Sequence, residues 1–174
     1  MCGSGTIAIE AAQWAQGLAP GLSRPSFGFQ RWASFDADSE SLLRTMKGEL
    51  RSTARGQRPS VIARDVDGEI LQIAKGNARK AGVRLAFKEQ SVFDLQADGP
   101  VMTVVCNPPY GKRLASSPDF LDRMGGVFRK LRGWRIALLS GSPAIEAAMK
   151  IKPTSKIPIP NGDLDCYLLT YDMA

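Results

Sequence analysis

The sequence predicts a doubly wound α/β domain, in which a mostly parallel sheet carries helices on both faces. Three observations across the 174 residues favour this fold. Segments with helical periodicity alternate with short apolar segments rich in β-branched residues. A glycine-rich turn at residues 2–6 opens the first helical segment. Near the C-terminus, an Asn-Gly turn between two apolar segments predicts a hairpin, so the last strand should run antiparallel to the others.

In the N-terminal half, helices and strands are predicted in alternation. Apolar residues recur on one helical face over Thr6–Ala15, and a second helix is expected from about Asp38. Val61–Ala63 predict a short strand that ends at Asp65. The next helix should begin at an Asp67 cap and stop at Gly82.

The C-terminal half continues this pattern. Ser117 followed by Pro118 is typical of a capped helix start, and the apolar face of that helix extends to Leu131 before Gly133 ends it. Asn161-Gly162 supplies the turn of the terminal hairpin. The predicted strands of this half are Val83–Phe87, Val101–Cys106, Trp134–Leu139, Ile157–Ile159 and Cys166–Tyr171.

The composition excludes several kinds of chemistry. The chain has no histidine, so histidine-based metal sites and catalytic triads are excluded, and no metal is expected. Its three cysteines have no paired spacing, which predicts reduced thiols. No apolar run approaches the ~20 residues of a membrane helix. We therefore expect a cytoplasmic protein without membrane contact.

Residues 1–174 are predicted to form one domain, with a Pro/Gly-rich insertion or lid at 18–60. Basic residues in the insertion recur at steps of three and four, which would place them on one side of a helix. They are Arg44, Lys47, Arg51, Arg55 and Arg58. Given the net charge of +6, this basic stripe is either a contact for a polyanion or a solvated helix face.

The first candidate site is the turn of Cys2, Gly3, Ser4, Gly5 and Thr6. Glycines allow the backbone to turn sharply and to approach a ligand closely, with helix amides facing it. Gly3–Ala8 also match a relaxed form of the dinucleotide-binding pattern G-x-G-x-x-A. The turn is therefore either a cofactor loop or only the start of a helix.

Two acidic residues follow predicted strands, at the edge of the sheet where doubly wound folds bind ligands. Asp65 is placed to accept hydrogen bonds from a ribose diol, because Asp67 already serves as the helix cap. Asp94, beyond the next strand, could accept from the amino group of an adenine. A capping or turn role remains the alternative for each.

The stretch Asn107-Pro108-Pro109-Tyr110 follows an apolar strand directly. Two prolines stiffen the backbone and remove two amide donors, so the loop presents acceptors. The side-chain oxygen of Asn107 and the carbonyl of Pro108 could each accept one N–H of a planar amine, while the Tyr110 ring stacks on a base. A rigid connecting turn is the alternative.

These motifs carry a resemblance to a known family. Asn107–Tyr110 together with the glycine turn resembles the motif pair of class I S-adenosylmethionine-dependent amino-methyltransferases. Met1–Glu10, Ala19–Leu22 with Phe27–Trp32, and Asn107–Leu114 together resemble the THUMP-associated RNA guanine-N2 methyltransferases, which modify large-subunit ribosomal RNA. Proteins of this group are often catalogued as N6-adenine-specific DNA methylases. The resemblance covers essentially the whole chain.

The resemblance implies S-adenosyl-L-methionine as the cofactor. Asp65 would bind its ribose hydroxyls and Asp94 its adenine, while the two glycines of the turn would border its methionine and ribose. The target amine would lie against Asn107, Pro108, Pro109 and Tyr110. The implied cofactor site consists of Cys2, Gly3, Ser4, Gly5, Thr6, Asp65, Val66, Val92, Phe93, Asp94 and Asn107.

The resemblance also implies a strand that ends in a carboxylate before the glycine turn, and an N-terminal RNA-binding THUMP domain. The sequence starts at Met1, inside the motif, so neither has a counterpart. The implied strand would be central in the sheet, and its neighbours need a middle partner. We therefore expect the sequence to be a piece of a longer chain.

RNA is the implied partner, contacted by Lys112, Arg113 and the basic stripe. Several alternatives stay open: N6-adenine methylation of DNA or RNA, methylation of a protein glutamine, and a non-catalytic RNA-binding module. A dinucleotide-dependent oxidoreductase is disfavoured, because Asp65 follows the glycines by about 60 residues rather than the usual ~20.

Overall fold

The computed structural model describes residues 1–53, 60–109, 118–162 and 164–174, and it divides the chain into two compact units. The larger unit combines residues 1–3, 64–71 and 88–174. The smaller unit combines residues 4–63 and 72–87. Each unit has a hydrophobic core of its own.

The described residues form five α-helices and six strands. The helices are α1 (Thr6–Ala15), α2 (Ala37–Ser52), α3 (Gly68–Lys80), α4 (Pro118–Phe128) and α5 (Pro143–Met149). The strands are β1 (Ile62–Asp65), β2 (Ala86–Glu89), β3 (Thr103–Cys106), β4 (Arg135–Ser140), β5 (Ser155–Asn161) and β6 (Leu164–Asp172). Short 3₁₀ turns occur at Gly28–Arg31 and Val92–Asp94.

The larger unit contains a four-stranded sheet in the order β3-β4-β6-β5. β3 and β4 are parallel, with Cys106 opposite Leu138. β6 runs antiparallel to both β4 and β5, because the turn at Gly162 reverses the chain. The expected α/β fold with a C-terminal antiparallel strand is therefore confirmed.

The core of the larger unit packs α4 and α5 against this sheet. Gly125 of α4 is needed for the approach of α5, because a side-chain carbon at this position would overlap the carbonyl oxygen of Ala148. The guanidinium of Arg129 donates to the same carbonyl over 2.8 Å, which gives this carbonyl of the last turn of α5 a hydrogen-bond donor. The fully buried core residues of this unit include Met124, Phe128, Leu131, Ile136, Leu138, Met149 and Leu169.

The smaller unit is built on α1. Ile9 and Ala12 of α1 are buried in one cluster with Ala78 and Val83. Gly5, which precedes α1, lies so close to α3 that an added side-chain carbon would be 3.1 Å from the Cβ of Ala74. Helix α2 buries none of its residues within the described chain.

Strands β1 and β2 form a second, two-stranded sheet. At one end the amide of Ala86 donates to the carbonyl of Val61 over 3.0 Å, and at the other the amide of Gln90 donates to Asp65 over 2.8 Å. The residue numbers of donor and acceptor differ by the same amount in both hydrogen bonds, which shows that β1 and β2 are parallel. A further strand preceding Met1 stays a prediction.

Several boundaries differ from expectation. β2 begins at Ala86 rather than Val83, because Val83 turns back to the carbonyl of Ala78 and buries its side chain at the end of α3. β3 begins at Thr103, and Val101 is exposed. α4 ends at Phe128, after which the chain continues in tight turns.

Helix α5 was not expected from the sequence at all. It has only seven residues and begins with proline after a Ser142 cap. Ser117, the predicted cap of α4, lies outside the described residues. Among the helices of the described ranges, none is both long and apolar enough for a transmembrane span.

Candidate functional site

The glycine turn lies beside the C-terminal end of β1. The amide of Cys2 donates to the carbonyl of Arg64 over 2.8 Å, and the amide of Gly3 donates to Oδ2 of Asp65 over 2.9 Å. Gly3 has φ of 54°, a left-handed conformation that side chains disfavour. A side-chain carbon at Gly3 would meet no atom of the described chain within 4 Å, so open space adjoins the turn.

Asp65 is the most strongly organised group of the site. It is only 7% exposed, and its other oxygen, Oδ1, accepts from the amide of Asp67 over 3.2 Å. The ammonium of Met1 lies 3.3 Å from Oδ2. Burial by itself raises the pKa of Asp65, but the hydrogen bonds from Gly3 and Asp67 and the Met1 charge outweigh it and lower the pKa below its usual value. The carboxylate is therefore held ionised.

Gln90 is a residue of this site that the sequence did not reveal. Its side-chain oxygen accepts from Nη1 of Arg64 over 2.6 Å, and its side-chain nitrogen donates to the carbonyl of Asp94 over 2.9 Å. Its backbone amide donates to the carbonyl of Asp65. Gln90 thus ties the ends of β1 and β2 to the turn that carries Asp94. No local pattern signals such a role, because all its partners except Asp94 are distant in sequence.

The turn Val92–Asp94 follows Gln90. The hydroxyl of Ser91 accepts from the amide of Phe93 over 3.2 Å and starts the turn. The guanidinium of Arg123 lies 4.0 Å from the centre of the Phe93 ring. The carboxylate of Asp94 is exposed and makes no hydrogen bond or ion pair to any described residue. It is free to accept a donor from a ligand.

Asn107 and Pro108 end β3 in opposite environments. The Pro108 side chain is fully buried, whereas Asn107 is exposed. The Asn107 amide makes no hydrogen bond within the described part of the chain. Pro109 is half-buried. A buried proline therefore fixes the backbone directly beside a side chain that is left without a partner.

Cys106, the last residue of β3, is chemically inert. Burial raises the pKa of its thiol to about 12, and the Met1 ammonium lowers it only in part. Met1 packs against the core cluster that contains Cys106 and also pairs with Asp65. This contact brings the glycine turn, the end of β1 and the end of β3 together in the larger unit.

The remaining predicted site residues are distributed as follows. Val66, next to Asp65, is 67% exposed, and Val92 is half-buried. Ser4 and Thr6 belong to the smaller unit, where their hydroxyls are 3.2 Å apart. Gly5 packs on α3 in that unit. The predictions for Tyr110, Lys112, Arg113, Arg55 and Arg58 concern positions outside the described residues.

The described part of the basic stripe lies on α2. Arg44 and Arg51 are exposed, which fits either alternative for the stripe. Lys47 is half-buried, since its ammonium lies 4.9 Å from the centre of the Phe27 ring and 3.4 Å from the carbonyl of Arg24. Lys47 therefore attaches the segment that contains Arg24 and Phe27 to α2.

A cavity of about 310 Å³ in the larger unit lies elsewhere. It is lined by residues that include Met102 and Thr103 at the start of β3 and Arg135 at the start of β4. Ligands in parallel sheets bind at the opposite, carboxyl ends of the strands. Because Asn107 and Asp65 are at those ends, this cavity is not the candidate site. The described residues contain no group of three or more Cys, Asp or Glu side chains that could hold a metal ion.

Comparison with known proteins identifies the family of this chain. Residues 1–170 match the family UPF0020, described as an RMKL-like methyltransferase domain. A protein of Synechocystis sp., named "Putative RNA methyltransferase slr0064", is 35% identical over 180 residues, which cover 99% of this chain and 46% of that protein. The chain thus spans about half the length of this relative.

Two solved structures share the fold over 100% of the chain. One is SMU.472, "a putative methyltransferase complexed with SAH", with a TM-score of 0.87, 28% identity and 47% of that chain covered. The other is "a predicted N6-adenine-specific DNA methylase" from Listeria monocytogenes, with a TM-score of 0.82, 30% identity and 45% of that chain covered. Both likenesses support a Rossmann-like methyltransferase fold.

Proposed function

The chain belongs to the UPF0020 family of RMKL-like methyltransferase domains, and we propose that it methylates an exocyclic amino group of a nucleobase in RNA. The methyl donor is S-adenosyl-L-methionine, and the target is guanine N2 of ribosomal RNA in the cytoplasm. Two relatives support the proposal. SMU.472 was solved with SAH, the form of the donor that has lost its methyl group, and the Synechocystis protein is named as an RNA methyltransferase.

The observation that carries the proposal is the state of Asn107. A buried proline fixes its backbone, yet its amide has no partner in the described chain. A planar amine has two N–H groups, and the side-chain oxygen of Asn107 with the carbonyl of Pro108 gives one acceptor for each. The loop is built to receive a donor pair from a ligand.

The residues around Asp65 fit the donor molecule. The ionised carboxylate keeps acceptor capacity beyond its bonds to Gly3 and Asp67, which a ribose diol can use. The free carboxylate of Asp94 suits an adenine amino group, and the exposed Val66 offers an apolar contact for the ring. The open space at Gly3 leaves room for the backbone to approach the ligand.

The chemistry needs alignment more than a base. The donor supplies an activated methyl group, so the main barrier lies in the amine, whose lone pair is delocalised into the base. Asn107 and Pro108 would hold both N–H groups out of the ring plane and stabilise the positive charge that grows on nitrogen. The extra proton then leaves to water or through Asn107, which fits a chain without histidine.

The target base must be unpaired to reach this edge of the sheet. We assign stacking on the base to Tyr110 and contacts with the flanking phosphates to Lys112, Arg113 and the basic stripe. These assignments rest on sequence position after the Asn107 motif.

N6-adenine methylation is the second candidate, since the relative from Listeria monocytogenes is named for that reaction. The chain is incubated with ribosomal RNA or DNA and labelled S-adenosylmethionine, and the nucleosides are analysed by mass spectrometry. We expect labelled N2-methylguanosine from RNA, and about 10²- to 10³-fold slower formation of it by Asn107→Ala. Labelled N6-methyladenosine would establish the second candidate, and a chain that binds no S-adenosylmethionine by calorimetry would contradict both.

A further inference from the structure

The charge of the chain is divided unequally between the two units. The smaller unit holds eleven of the 23 lysines and arginines but only five of the 17 acidic residues, which gives it a net charge of +6. The larger unit holds twelve of each and is neutral. The whole net charge therefore belongs to the unit that does not contain Asp65 or Asn107.

The described basic side chains of the smaller unit also form no ion pairs. All five ion pairs of the described residues join groups of the larger unit. Within the described part of the smaller unit, no lysine or arginine lies within 4.0 Å of a carboxylate. Unpaired cations are available to an anionic partner, whereas internal ion pairs would reduce their attraction to one.

An aromatic cluster lies in the same unit. The rings of Phe27 and Phe29 stack with centroids 5.3 Å apart, and Phe35 packs 5.7 Å from Phe29. Trp32 touches the edge of Phe29 at 6.3 Å yet remains 68% exposed. Its backbone amide donates to the carbonyl of Phe29 over 3.0 Å. The indole is thus fixed at its base and presents its surface to solvent.

One basic side chain contacts this cluster, and others are close to it in the sequence or on α2. Lys47 joins α2 to the cluster through the Phe27 ring, and the side chain of Gln30 donates to Glu40 over 3.3 Å. Arg44 is three residues from Lys47 and so lies on the same side of α2. Arg31 directly precedes Trp32 and is exposed. An exposed ring with unpaired guanidinium groups around it is the combination that single-stranded nucleic acids bind.

We propose that Arg24, Arg31, Trp32, Arg44 and Lys47 form an aromatic–basic surface that binds a single-stranded segment of the substrate RNA. A base stacks on Trp32, and the basic side chains contact the adjoining phosphates. A duplex offers no free base face along its length, so the surface selects unpaired RNA. The inference rests on the proposed function, since it assigns the region that holds the substrate of that reaction.

The test is a titration of the full chain with a labelled RNA of roughly 12 nucleotides without base pairing, followed by fluorescence anisotropy. Loss of one stacked base in Trp32→Ala should raise the Kd about 5- to 100-fold. Trp14→Ala is the matched control. Trp14 is 85% exposed on the same unit, but its sequence neighbours Gln13 and Ala15 are uncharged. Its Kd should stay within about twofold of the wild type, as expected for a surface substitution away from the site.

The charged part of the surface is tested by salt dependence. Arg31→Gln should reduce the slope of log K against log salt by about 0.7, as expected for one lost contact to a single strand. Arg79→Gln on α3 is the control, because Arg79 is exposed and unpaired in the same unit but belongs to another helix. Equal slopes for the two variants would contradict a specific surface.

The outcome separates this inference from the proposed function. Every variant is also titrated with S-adenosylmethionine by calorimetry, and we expect unchanged affinity because none of the replaced residues belongs to the proposed cofactor site. If Trp32→Ala binds RNA like the wild type while the donor still binds, the inference is wrong and the function stands. If RNA binding depends on Trp32 but the donor does not bind, the function is wrong and the surface stands. A change in oligomeric state of Trp32→Ala without any change in RNA affinity would assign the surface to self-association and overturn the inference.

Discussion

The two halves of the candidate site are organised in opposite ways. Asp65 is buried, accepts from the amides of Gly3 and Asp67, and forms an ion pair with the Met1 ammonium, so its position is fixed by the fold. Asn107 is exposed and makes no hydrogen bond within the described chain, although the buried Pro108 follows it. The fold thus positions Asp65 through contacts of its side chain, whereas it positions Asn107 only through the backbone.

This difference separates binding from catalysis. A group that already has internal partners contributes to stability and also to a preformed pocket, so its loss affects folding and affinity together. A group without partners contributes nothing to folding, so its loss is seen only when the ligand reacts. The predictions below test this separation.

The largest effect is expected at Asn107. Asn107→Ala removes one of the two proposed acceptors of the target amine, and loss of one such contact in other enzymes lowers kcat about 10²- to 10³-fold. The melting temperature and the Kd for S-adenosylmethionine should stay at the wild-type values, because the amide has no partner in the described chain. Radiolabel transfer, calorimetry and thermal unfolding measure the three quantities. A large fall in Tm would show that Asn107 is structural.

The second effect is expected at Asp65. Asp65→Asn should weaken S-adenosylmethionine binding at least about tenfold and also lower the free energy of unfolding by about 1–3 kcal/mol, because the charge and one of the two acceptor oxygens that bind the amides of Gly3 and Asp67 are removed. Asp98→Asn is the control, since Asp98 is exposed in the same unit and has no partner in the described chain. An Asp65 variant with wild-type stability would remove the contrast with Asn107.

The pH dependence of stability gives a separate test of Asp65. Its pKa in the folded chain is lowered, so its ionisation stabilises the fold fully above the unfolded pKa. This stabilisation is lost as the pH falls through the folded pKa. Denaturant unfolding over this acidic range should show a steeper loss of stability for the wild type than for Asp65→Asn. Parallel curves would contradict a lowered pKa of Asp65 in the folded chain.

A smaller effect is expected at Gln90, which positions the two acidic residues without reaching the ligand. Gln90→Ala should raise the Kd for S-adenosylmethionine several-fold and leave kcat at saturating donor unchanged, since the loss of each hydrogen bond is worth about 1 kcal/mol. Gln96→Ala is the control, since Gln96 is exposed and has no partner in the described chain, and it should match the wild type. A fall in kcat with unchanged Kd would place Gln90 in the chemistry instead.

The smallest effect is expected at Cys106. Its thiol is buried with a pKa of about 12, so it stays protonated at neutral pH and cannot act as a nucleophile. Thiol reagents should leave it unmodified in the folded chain and react once the chain is unfolded. Cys106→Ala should keep kcat within about twofold of the wild type at some loss of stability. Fast modification of the native thiol would contradict this.

The expectations that held depend on local signals. Helix α1 covers Thr6–Ala15 as predicted, because the helical face and the turn before it are both encoded within that stretch. Asp65 lies at the end of β1, and the hairpin turns at Gly162, where φ is 60°. Asp67 caps α3 by accepting from the amides of Glu69 and Ile70.

The expectations that failed depend on distant partners. Val83 is β-branched, which is typical of a strand residue. Its side chain is nevertheless buried in the cluster that contains Ala78 of α3. Helix α5 has too few residues for a periodic pattern, and it is stabilised by Gly125 of α4 and by Arg129, which follows α4. The role of Gln90 arises because β1 brings Arg64 within reach.

The sequence by itself determined the net charge of +6 and the backbone conformations that a residue imposes on its neighbours. These conformations are the glycine turn, the helix caps and the proline-stiffened end of β3. The tertiary structure alone decided which side chains have partners. It gave Asp65 hydrogen-bond partners, and it left the side chains of Asn107 and Asp94 without one among the described residues. It also linked Asp65 to the turn of Asp94 through Gln90, and it put the net charge in the unit that lacks Asp65 and Asn107. The physical reason is range: dihedral preferences act over a few residues, whereas a hydrogen bond or a desolvated charge depends on which distant chain segment comes within about 3 Å.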